Sequence, residues 1–151
     1  MANPDSVGQL TLDSFGYGKI GSATAVTLNA TGAGKVTIPL LRGGLTNGGA
    51  VGNSGGVILR RISVNGPSGI VNAANISITT SSDGNISNVV VGNVVFTNLT
   101  TTGKFQDLDI SYTANTVVSG TTAQALFVNV NTASGNSNTV NFSVFGEVVS
   151  F

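Results

Sequence analysis

The chain has 151 residues and contains no cysteine, no histidine and no tryptophan. Without cysteine there is neither a disulfide framework nor a thiolate zinc site, so the core must hold without staples. Without histidine the usual general base and the commonest metal ligand are gone, and so is every Ser-His or Cys-His arrangement. Serines and threonines are plentiful, but nothing beside them activates a hydroxyl. No catalytic centre, no cofactor site and no metal site are expected; the chain does not read as an enzyme. Long apolar runs are missing too. Nothing approaches the roughly 20 apolar residues of a membrane helix. The first residues, MANPDSVGQL, lack the basic segment and apolar run of a secretory leader. A soluble protein without an export signal is the expectation.

Charge is scarce. Charged residues make up 8% of the chain, with six basic against six acidic side chains and a net charge of zero; ordinary soluble domains carry about 25%. The surface must therefore be covered by Asn, Ser, Thr and Gly. Such a surface gives little colloidal repulsion and no long-range steering, which suits a protein packed against neighbours. Nucleic acid is excluded as a partner, because a duplex needs clustered Lys and Arg against its phosphates. Here Lys19, Lys35, Arg42, Arg60, Arg61 and Lys104 are scattered.

What is present is alternation. Leu126, Val128 and Val130 alternate with Phe127, Asn129 and Asn131; after Ser134-Gly135-Asn136-Ser137, Val140, Phe142 and Val144 alternate with Asn141 and Ser143. Period two on both sides of a polar break predicts an antiparallel β-hairpin with its apolar face buried. The same design recurs upstream. Residues 25–29 and 35–40 predict a second hairpin, pairing Val26 and Leu28 with Val36, Ile38 and Leu40, and Pro39 puts its strand at a sheet edge. Residues 57–64 form a strand. In residues 74–80, Ile76 and Ile78 point inward while Asn75, Ser77 and Thr79 point outward, and Ser82-Asp83-Gly84-Asn85 makes a tight turn. Residues 88–99 read either as a central strand or as two short strands meeting at a bulge at Gly92-Asn93. Residues 104–110 supply a further strand.

No window carries the 3.6-residue period of a helix. Eight to ten short strands with frequent turns predict an all-β fold, an antiparallel β-sandwich or jelly roll. By length this is one domain. Residues 1–8 read as an N-terminal arm and 9–151 as a single β-sandwich domain, interrupted by a glycine-dense loop at 43–56.

Few residues invite chemistry. Gly32-Ala33-Gly34-Lys35 resembles part of a phosphate loop. However, Asn29 and Val36 stand where that motif needs Gly and Ser or Thr, and a strand follows instead of a helix. Asp107 and Asp109 lie two apart on one strand face, short of the six or so oxygens that calcium takes. Sequons at Asn29, Asn75, Asn85, Asn98 and Asn141 follow from composition in a chain so rich in Asn, Ser and Thr. Arg60 shares strand parity with Ile58, Ile62 and Val64, the expected core face, and Arg61 shares it with Val57 and Leu59. A guanidinium on a core face must be paired or reach an interface; with the faces inverted, Arg60 is simply solvated.

Residues 1–8, the loop at 43–56 and the strands at 126–130 and 140–144, closing on Glu147-Val148-Val149-Ser150-Phe151, give the chain a likeness. It resembles the small head decoration, or cement, proteins of tailed bacteriophages. The resemblance implies a structural virion protein, synthesised in the host cytoplasm and placed on the capsid surface. It also implies self-association as a homotrimer and a major capsid protein as partner, with no membrane and no small-molecule ligand. The competing class is a carbohydrate-binding or adhesin-type β-sandwich module with a glycan as ligand. Sugar-binding faces present exposed aromatic platforms, whereas this chain has no Trp and only Tyr17 and Tyr112, and several of its phenylalanines fall in strand patterns that need core. A surface-layer or pilus subunit is a third class, disfavoured by the absent leader.

Overall fold

The computed structural model describes residues 17–40, 55–85, 89–111, 117–119 and 125–150. Residues 1–8, most of the glycine-dense loop, and Leu10 and Leu12 fall outside them. Nine strands and no helix occur among the described residues: β1 (Tyr17–Thr27), β2 (Gly32–Pro39), β3 (Gly55–Asn65), β4 (Asn75–Thr79), β5 (Val89–Val95), β6 (Phe105–Leu108), β7 (Val117–Ser119), β8 (Ala125–Thr132) and β9 (Thr139–Ser150). Sheet A has the order β1-β9-β3-β6, with β7 also on β3; sheet B has the order β2-β8-β4-β5. Every pairing is antiparallel. Because β9 runs the length of β3, β6 and β7 lie end to end along the other edge of β3.

The partners are nested. β1 pairs with β9, β2 with β8, β3 with β6 and β7, and β4 with β5. Successive pairs fall in alternate sheets, as when one long antiparallel ribbon is rolled up. That is a jelly roll, the all-β sandwich expected from the sequence. The inner faces enclose one core. Leu126, Val128 and Val130 of β8 meet Val140, Phe142 and Val144 of β9, and all six are buried as expected.

Both expected hairpins are corrected. β8 lies in sheet B and β9 in sheet A, so the two strands face each other across the core instead of pairing. Residues 133–138 carry the chain between the sheets, a gap of about 10 Å. That connection is tied to neighbouring loops: Ser134 N donates to Leu28 O (2.8 Å), and the Asn136 and Asn138 amides both donate to Ile70 O (2.9 and 3.0 Å). Likewise β1 and β2 belong to different sheets and touch through an isolated bridge, Gly21 to Leu40. β1 begins at Tyr17, well before the expected start at Ala25. Among the described residues the hairpin of consecutive strands is β4–β5. It contains the 82–85 turn, but its connection is longer than a tight turn.

Other expectations hold in part: residues 88–99 give neither a central strand nor two short ones, but one edge strand, β5, with the expected bulge. β2, ending at Pro39, is an edge strand. Val94 sits opposite Ile76 and Val91 opposite Ile78, so Gly92-Asn93 faces Ser77 alone and forms the bulge of a single edge strand. Ile76 and Ile78 are buried; Thr79, expected outside, is buried as well. Its hydroxyl donates to Ser81 O (2.7 Å) and accepts from the Asn129 amide (3.1 Å), so it is covered without being unsatisfied.

Candidate functional site on the outer face of sheet A

A bulge in β3 decides what this face displays. Leu59 pairs with Gly146 and Arg61 with Phe145, leaving Arg60 as the extra residue. The inner face is therefore Val57 and Leu59 before the bulge and Ile62 and Val64 after it, all fully buried. The expected core face containing Arg60 does not form: both arginines are exposed. Gly146 is required opposite the bulge, because a Cβ there would collide with the Ile58 carbonyl oxygen.

Each arginine is paired. Arg60 forks onto Glu147, Nε to Oε1 and Nη2 to Oε2, both at 3.2 Å. Arg61 Nε donates to Asp107 Oδ1 at 2.9 Å, and its guanidinium carbon lies 5.4 Å from the centre of the Phe145 ring, within cation–π range. Beyond the bulge the cross-strand register builds a polar floor. Ser63 lies between Ser143 and Asp107, and Asn65 between Asn141 and Phe105. Ser63 and Ser143 are buried, and the Asn65 amide donates to Ser143 Oγ at 3.2 Å. Phe145 and Phe105 rise at the two ends of this floor, Phe105 being 59% exposed. With Gly66, Gly103 and Lys104 they enclose a groove of about 360 Å³.

The residues singled out from sequence do not converge. Asp107 faces Arg61, while Asp109 lies beyond the end of β6 and is exposed. Among the described residues no three His, Cys, Asp or Glu side chains come together. Gly32 to Lys35 opens β2; the Gly34 N–H, at a φ of 59° that favours glycine, donates to Asn129 Oδ1 (2.8 Å) and is not free for a phosphate. Asp83 sits in the turn after β4, where the Ser81 hydroxyl (2.6 Å) and the Asn85 N–H (2.9 Å) both donate to Oδ1. Those bonds favour the carboxylate and hold its pKa below the ordinary value.

Phe105 and Phe145 were missed as surface residues, although strand parity contains them. Val140, Phe142 and Val144 point inward, so Phe145 points outward with Asn141 and Ser143. Leu108 is buried, so Phe105 points outward with Asp107. Phe96 and Phe142 alone are the fully buried phenylalanines among the described residues. Comparison with known proteins finds no family model, curated protein or solved structure that matches the chain.

Proposed function

We propose that the protein is a structural virion component, a decoration or cement protein that binds major-capsid subunits on a phage head as a homotrimer. The observation that carries this reading is the distribution of charge. The strands of sheet B contain a single charged residue, Lys35, and the outer face of that sheet is mainly Asn, Ser and Thr, with half-buried Phe127 among them. A face of this kind docks on another protein without stripping water from ions, the step that makes charged interfaces expensive. A jelly roll is also a recurrent architecture of capsid proteins. The protein acts here as a clamp, with no reaction and no cofactor. From their composition, residues 1–8 and the glycine-dense loop are the segments expected to adapt to the partner. Light scattering should give a trimer mass. A pull-down on phage heads should retain the full chain and recover less of a chain lacking residues 1–8. A monomer that ignores heads overturns the reading.

A second reading, a carbohydrate-binding module, is favoured by one observation: exposed Phe105 stands at one end of the groove on sheet A and the half-buried, outward-pointing Phe145 at the other.

A further inference from the structure

The geometry points to a saccharide site in the groove on the outer face of sheet A, held by Phe105 and Phe145 at its ends and by Arg61, Ser63 and Asn65 along its floor. The inference rests on the second reading, glycan binding, and gives it a site; it is independent of whether the protein also sits on a capsid.

Ser63 marks the groove as built for a polar ligand. It is 4% exposed and lines the groove, yet its hydroxyl has no hydrogen-bond partner among the described residues. Buried hydroxyls in folded proteins are normally satisfied, and a ligand that donates or accepts there would complete it. Asn65 spends one amide N–H on Ser143 and keeps its carbonyl oxygen as a spare acceptor. Arg61, oriented by its Nε bond to Asp107 Oδ1, lines the groove and keeps its terminal N–H groups as donors for a sugar hydroxyl. The phenyl rings supply the complementary half. Pyranose rings carry patches of C–H that lie flat on aromatic faces, and Phe105 is too exposed to be core.

The spacing selects a chain over a single ring. Phe145 sits opposite Arg61, and Phe105 sits opposite Asn65 on the other neighbour of β3. Four residues along the strand and two strand spacings across put the rings' Cα atoms about 16 Å apart. A short oligosaccharide lying diagonally over Ser63 reaches both rings. Other ligand classes fit less well. A lipid or aliphatic ligand would leave the polar floor unmet. A single nucleic-acid strand needs a run of cations, whereas Arg61 is neutralised by Asp107 and Lys104 stands alone. Lys104 has no side-chain partner among the described residues, which adds a preference for an acidic substituent at the Phe105 end.

The test is a screen of the full chain against arrayed neutral and uronate-containing oligosaccharides, followed by calorimetry on the best of them. Phe105→Ala and Phe145→Ala should each lower affinity about tenfold, with thermal melts close to wild type. Ser63→Ala should weaken binding less. Lys104→Gln should weaken uronate-containing ligands selectively. Asn93→Ala, on sheet B, should change nothing. Glycan binding that survives both phenylalanine substitutions would place the ligand elsewhere and overturn this site, leaving the second reading intact. A wild-type chain that retains no oligosaccharide overturns both.

Discussion

On the outer face of sheet A the polar groups are largely ionic, paired and open to water; on that of sheet B they are amides and hydroxyls bonded to one another. Sheet A's strands carry Lys19, Arg60, Arg61, Asp107 and Glu147, against Lys35 alone in sheet B. The two ion pairs of sheet A leave each side chain between a third and a half exposed, where such pairs are worth little. In sheet B, Asn129 is only 5% exposed and works at both ends of its amide. Oδ1 accepts from Gly34 N, and Nδ2 donates to Thr79 Oγ1 (3.1 Å) and Ser77 Oγ (3.4 Å). Further along, Asn131 donates to Asn93 Oδ1 (2.7 Å) and Asn75 Oδ1 (3.3 Å). The neutral sheet is thus the one in which outward-facing polar groups hold structure together, whereas the charged sheet displays solvent-exposed ion pairs beside an open groove.

Truncation at the shared core gives the largest effect and reports on neither outer face. Phe142→Ala should cost about 3–5 kcal/mol by chemical denaturation, because Phe142 is fully buried between the sheets. Next comes the substitution that separates the faces. Asn129→Ala should cost about 1–3 kcal/mol, since it strands the Gly34 N–H and removes the amide donor to the Thr79 and Ser77 hydroxyls. On the other sheet, Arg61→Ala should cost under about 1 kcal/mol despite removing a charge pair and a ring contact. An Arg61→Ala loss equal to that of Asn129→Ala would break the comparison.

The smallest effect is at Asp83, where the sign is fixed by the lowered pKa. A carboxylate whose folded pKa is depressed stabilises the fold above its unfolded value of 3.8 and loses that contribution as pH falls through the folded value. Thermal melts of wild type and Asp83→Asn should differ by a constant margin at about pH 5, and the margin should close towards pH 2. A margin that widens on acidification would mean that the turn does not favour the carboxylate.

Which residues face inward was legible; which strands pair was not. Alternation in 126–130 and 140–144 reports a buried face, and that face is buried here. It is silent on whether the partner lies beside the strand or across the core, and a connection as short as 133–138 serves either geometry. The decision comes from groups far apart in sequence, such as Ile70 O receiving the Asn136 and Asn138 amides. The arginines were obscured for a related reason. Parity counted through residues 57–64 puts one arginine inside whichever face is chosen, and only a bulge removes both. The Gly92-Asn93 bulge was readable because glycine and asparagine mark it locally, whereas Arg60 carries no such mark. The groove draws on β3, β6 and β9, so it becomes visible only once the register is known.

The central claim is that a face with a single charge, Lys35, carries the attachment to a capsid, and cosedimentation with phage heads at two ionic strengths tests it most directly. The heads should be assembled from the major capsid protein encoded in the same genome. Raising salt from about 0.1 M to 1 M shortens the screening length from about 10 Å to 3 Å and removes the support of exposed ion pairs. The account predicts that the bound fraction is the same at both. A protein that stays in the supernatant at either salt, or binding that disappears at 1 M, would contradict it.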